Sequence, residues 1–187
     1  MITDYPEWID TCLAAMREKS IQTAAISAES TAEGFLFWED SSTTNISPDY
    51  FVKYAAPEIK EWAKIIKSAE KILVHHACGH IKNLLPLMAE TGIDCIESIS
   101  PPPTGDIEVW DAFDVLPDHI SLIGGIEPTV LLNATNEELQ KYVLHLLEKI
   151  TEANNGRRFI LANSDSCPPG VSIEKFKLIT QLAHNIN

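Results

Sequence analysis

The chain of 187 residues carries 14 basic and 27 acidic side chains, a formal net charge of −13 at pH 7. A surface this acidic repels phosphate backbones and anionic lipid, which sets nucleic acids and membrane surfaces aside as partners. With 45% hydrophobic and 22% charged residues, the composition is that of one globular domain with its own core, and no apolar run approaches the ~20 residues that span a bilayer.

"MITDYPEWID" lacks the basic-then-apolar order of a signal peptide, so the cytoplasm is the expected location. From there "TDYPEWIDTCLAAMREKS" reads as a helix capped by Thr3 or Asp4, with Ile9, Leu13 and Met16 on one face, and "IQTAAISAES" as a second helical piece. Residues 1–33 form a helical lead-in; β/α units of a single domain fill 34–187. "GFLFWED" is a short apolar strand entered through Gly34. Ser47 as N-cap and Pro48 at the first helical position start the next helix, which Pro57 should kink or restart. "KILVHHA" is the second strand, and "HIKNLLPLMAETG" a helix stopped at Gly92. "IDCIESI" is the third strand, followed by the turn "SPPPTGD", and "ISLIGGI" is the fourth. "TNEELQKYVLHLLEKI" is a helix with a Thr135/Glu138 capping box. Arg157 and Arg158 form a solvated flank of the fifth strand, "RRFILANSD", and "SIEKFKLITQLAHNI" is the last helix.

Apolar strands alternating with helices predict an α/β domain with a parallel sheet. No GxGxxG follows a strand, so a doubly wound nucleotide fold is disfavoured, and chemistry-bearing residues gather at the C-terminal strand ends, as in (β/α) barrels of TIM type. Five strands are too few to close such a barrel. The expected architecture is a C-terminal partial barrel whose open edges call for a second copy of the chain or for a missing N-terminal half.

Within "VHHACGH", His76 and Cys78 point to the same face of a strand, because side chains alternate along it. Glu97 ends the next strand and Cys167 follows the last one. Met at one barrel mouth, these four would form a sulfur-rich set suited to tetrahedral Zn²⁺. Four cysteines without CxxC spacing agree with a site assembled from distant segments. Taken singly, Cys12 and Cys95 read as packing, and His75 and His80 as polar residues at a helix start rather than as supports of the site. Asp165 either orients a ligand or the substrate or caps its loop, while Glu39 and Asp40 stand at the mouth for substrate contact. Gly124 and Gly125 allow a substrate or a helix to come close to the backbone.

On "HHACGH", "LMAETGIDCIES", "GGIEPTVLLNATNEEL" and "SDSCPPGVSIEKF", the chain from about Gly34 onward resembles the C-terminal half of the uroporphyrinogen decarboxylase superfamily, in particular its zinc-dependent methyltransferase branch. The H-x-C…E…C pattern of that branch implies His76, Cys78 and Cys167 as metal ligands with Glu97 as the fourth; Glu97, as an exchangeable ligand, and Asp165, on the reading of its own loop position, are the candidate catalytic residues. It implies Zn²⁺ as cofactor and methyl transfer between a corrinoid, or another small carrier, and a zinc-activated thiol, with a corrinoid protein as partner. Two other readings are a decarboxylase of tetrapyrroles and a non-catalytic half-barrel. The N-terminal arginine and aspartate residues used in haem-pathway decarboxylation have no counterpart in this chain.

Overall fold

The computed structural model describes residues 4–154 and 158–185. Five parallel strands form one sheet: β1 (Gly34–Trp38), β2 (Ile72–His76), β3 (Cys95–Ile99), β4 (Ser121–Ile126) and β5 (Phe159–Asn163). They lie side by side in chain order, with β1 and β5 at the edges. A doubly wound sheet reverses its order at a switch point; this one never does, so it is an arc of a (β/α) barrel, as expected.

The two faces of the arc differ sharply. Leu73, Ile96 and Leu122 point to the helix side and are fully buried in one core with Ile59, Ala63 and Ile66 of α3 (Ala56–Ser68) and Leu139, Val143 and Leu146 of α7 (Asn136–Asn154). The concave face carries Leu36, Trp38, Ile72 and Ile160, which are 39%, 76%, 54% and 57% exposed. This face is the interior of the barrel, laid open.

The helical lead-in is one helix rather than two pieces. α1 runs from Pro6 to Glu29 with Tyr5 at its N-cap, since no glycine or proline interrupts it after Pro6. Asp4 is therefore not the cap, and Thr3 lies outside the described residues. Ser47 caps α2 (Pro48–Tyr50), its Oγ accepting the Tyr50 N–H. A π turn over Phe51–Ala55 then leads into α3, with the Ala56 N–H donating to Phe51 O. Pro57 has no N–H to give and would strike the carbonyl four residues back, so the ladder widens by one residue just before it.

α4 is shorter than its pattern suggests, Leu85–Ala89, because Pro86 fits only in a first turn. The preceding turn is held from outside: Asp106 Oδ1 accepts the Ile81 and Lys82 N–H groups at 2.8 and 3.0 Å. This gives the "SPPPTGD" turn its structural role. Two short helices, α5 (Val109–Ala112) and α6 (Pro128–Asn133), carry too few residues for a period to show. The Thr135/Glu138 box forms as read, and Ser172 caps α8 (Ile173–His184). Arg158 is not a solvated flank. Its guanidinium donates to Pro117 O and Ile120 O, fastening β5 to the turn before β4; Arg157 lies outside the described residues.

Gly124 has φ +139°, and a Cβ there would meet the Ile99 carbonyl oxygen at 2.5 Å, where β3 bulges against β4. Gly125 has φ +92°, with Leu146, Phe159 and Val109 filling the space around it. Replacing Gly124 with alanine combines backbone strain with a clash against a carbonyl that cannot swing away. We expect it to cost about 3 kcal/mol or more, read as a drop in the urea midpoint; an unchanged midpoint would refute the close approach.

Candidate metal centre

Parallel pairing places His76 of β2 beside Glu97 of β3 on the concave face. The imidazole Nδ1 lies 2.5 Å from Glu97 Oε2, so one ring nitrogen is committed and Nε2 is left free. His76 is 7% exposed, and the Trp38 ring packs on it with centroids 4.3 Å apart. Beyond β2, the Ala77 N–H donates to Glu97 O at 3.0 Å, which carries the strand direction on to Cys78. Gly79, at φ +80°, then turns the chain toward the Ser42 hydroxyl, which accepts the His80 N–H.

Asp165 enters from the loop after β5. Its side chain joins those of His76 and Cys78 so that one ligand atom of each lies within 4.8 Å of the other two. Asn163 fixes this loop by donating to the Asp165 carbonyl oxygen. On the other flank, the Cys78 thiol donates to Asp40 Oδ1 at 3.4 Å, and Asn45 holds Oδ2 at 2.9 Å. Burial, followed by the charges of Asp165 and Asp40, pushes the Cys78 thiol up to about 11. A thiol in this setting keeps its proton until a cation arrives to reverse the local field.

Nitrogen, sulfur and oxygen are donor types that zinc takes, and atoms spread over as much as 4.8 Å need side-chain shifts of about an ångström to reach the ~3.3–3.8 Å separations that bonds of about 2.0–2.3 Å to a tetrahedral ion impose. An imidazole whose second nitrogen is held by a carboxylate is the usual companion of such an ion.

The structure thus brings His76, Cys78 and Asp165 together and sets Glu97 against the imidazole. Cys167 stands outside the group; it is exposed on the loop two residues past Asp165, with Sγ 3.7 Å from Pro168 O. Glu39 borders a neighbouring cavity of about 570 Å³. Gly124 and Gly125 lie in β4, where protein atoms fill the space about them. Cys95 is buried, as packing requires, whereas Cys12 is exposed on α1 rather than packed. Sequence reasoning did not find Glu58, which also lines the cavity. On an amphipathic helix it looks like any solvent-facing acid, and Trp62 one turn on is the single hint that its face is covered.

A family model described as Uroporphyrinogen decarboxylase (URO-D) matches residues 1–186. A curated methylated-thiol–coenzyme M methyltransferase of Methanosarcina mazei is 30% identical over 106 residues, 56% of this chain and 26% of that protein. Among solved structures, a methyltransferase from Methanosarcina mazei superposes with a TM-score of 0.72 at 21% identity, over 90% of this chain and 47% of that one. The match therefore spans about a quarter of the curated relative's length and about half of the solved chain.

Proposed function

We propose that this chain, which belongs to the uroporphyrinogen decarboxylase family, serves a zinc-dependent methyl transfer from a corrinoid or another small carrier to a thiol. The observation that carries this reading is the approach of His76, Cys78 and Asp165, with Glu97 braced against the imidazole. The methyltransferases similar to it support the same class of reaction.

A zinc ion held there supplies a Lewis acid that keeps a substrate thiol ionised near neutral pH. Glu97 fixes the His76 tautomer, so that the free Nε2 lone pair is the one offered to the metal. Asp40 is placed to accept the proton that Cys78 gives up on ligation. Asp165 supplies an exchangeable oxygen ligand. Cys167, on the same loop, is the proposed second sulfur, brought in when the loop closes. Trp38 covers one face of the imidazole against water. Its 76% exposure leaves ring area for a carrier to rest on.

The proposed partners are a corrinoid protein as methyl source and, against the open edges of β1 and β5, a second copy of the chain or the further units present in the longer relatives. Among the described residues no helix is long and apolar enough to cross a membrane. The test is a mixture of the protein with zinc, methylcobalamin and a small thiol, followed by its absorption spectrum. Demethylation that stops on chelation and returns with zinc is the expected result. A rate unmoved by the chelator, or porphyrinogen decarboxylation by metal-free protein, would overturn the proposal.

A further inference from the structure

We infer that the cavity enclosed by α1, the end of β1 and α3 is a binding site for a small alkylated ammonium ion. Its volume of about 570 Å³ is within the ordinary range for small-molecule sites. Five aromatic side chains line it, Phe37, Trp38, Tyr50, Tyr54 and Trp62, although aromatic residues make up only 7% of the chain. Two carboxylates, Glu39 and Glu58, line it as well, and no lysine or arginine does.

Each of these groups is held in a way that leaves it available. Trp62 Nε1–H donates to Ser20 Oγ at 2.7 Å, and that hydroxyl donates to Glu58 Oε1 at 2.5 Å. No hydrogen bond engages Glu58 Oε2 or the Glu39 carboxylate among the described residues. Burial, then Glu58 and Asp40, raise the Glu39 carboxyl above its usual range, a mutual repulsion that a guest cation relieves. Lys53, the nearby cation, is committed elsewhere, to Asp10 at 3.3 Å and to Tyr54, with its Nζ 4.4 Å from the ring centroid. It reaches Tyr54 through the hydroxyl, to which it donates at 2.6 Å, and not through the ring face.

This lining selects by chemistry. Aromatic faces attract a cation whose charge is spread over methyl groups and whose hydration is weak, and they offer no ligand to a bare metal ion. Polycarboxylate guests such as tetrapyrroles meet two like charges and no basic partner. The inference goes beyond the proposed methyl transfer and does not depend on it.

The experiment titrates choline and its uncharged isostere, 3,3-dimethylbutan-1-ol, into metal-free protein without any methyl acceptor, following tryptophan fluorescence and heat. Failure of methyl transfer leaves this measurement untouched. Choline should saturate and bind at least about tenfold more tightly than the isostere. Glu58→Gln keeps an acceptor for Ser20 while removing the charge, and should weaken choline about tenfold with little effect on the isostere. Tyr50→Leu, on a half-exposed ring, should weaken choline severalfold. Equal binding of both compounds, no saturable binding of either, or Glu58→Gln without effect would overturn the site. If Glu58→Gln fails to fold, the comparison of the two compounds on the unaltered protein decides.

Discussion

Cys78→Ala is expected to hold no stoichiometric zinc at neutral pH, while the unaltered protein binds one ion per chain. The substitution removes the sulfur from a donor group that the fold has already drawn within 4.8 Å. Glu97→Gln keeps the size and the hydrogen bond but weakens the brace on His76, and should lower zinc affinity by about 10- to 100-fold. Asp165→Ala and Cys167→Ala separate two ways of completing the set. Loss of zinc in both places both side chains in it; full retention in Cys167→Ala removes that thiol and leaves Asp165. Because the Cys78 thiol is held up to about 11, its proton competes with the metal throughout the neutral range. Apparent affinity should therefore rise about tenfold per pH unit from this group alone. Equilibrium dialysis at several pH values checks this, and an affinity flat with pH would exclude Cys78 as a ligand.

The second large effect lies one residue before His76 and on the other face of the sheet. His75 is fully buried, its ring stacked on Phe37 with centroids 4.7 Å apart, and neither ring nitrogen has a hydrogen-bond partner. Burial, with His76 adding to it, lowers its pKa to about 3. The unfolded chain takes up a proton at this side chain below about pH 6.5, and the folded protein declines it until about pH 3. Stability from this group is therefore complete above pH 6.5 and drains away as the pH falls toward 3, at about 1.4 kcal/mol per unit. By pH 4.5 the loss amounts to about 2–3 kcal/mol, a large part of a typical domain's stability. His75→Phe preserves the ring stack and removes the titrating group. Its urea midpoint should be higher at pH 7 and fall much less between pH 7 and 4.5. The same acid dependence in both proteins would show that His75 is not responsible.

Strand positions were legible because short apolar runs bounded by glycine, proline and charge leave few alternatives, and all five strands lie in the runs read for them. Helix extents were less so. A proline one position into a turn decided where α4 begins, and a widened turn before Pro57 has no periodic signature. In the site, His76 and Cys78 could be paired from strand alternation alone, since period two needs no tertiary information. Asp165 against Cys167 could not be settled in that way. Both sit on a loop without a period, and only the turn held by Asn163 determines which of them faces inward. The resemblance implies Glu97 as a fourth ligand, whereas its contact with His76 Nδ1 depends on register between β2 and β3, which no single strand encodes.

The strand order has a kinetic corollary. Every neighbour in the sheet is also the next strand in the chain, so each β/α unit finds its docking surface already made by the unit synthesised just before it. Such a chain can zip up from its N-terminal side as it leaves the ribosome, with modest loop-closure cost at each addition. Partly translated chains should accordingly gain protease protection in successive steps, each coinciding with the emergence of another strand.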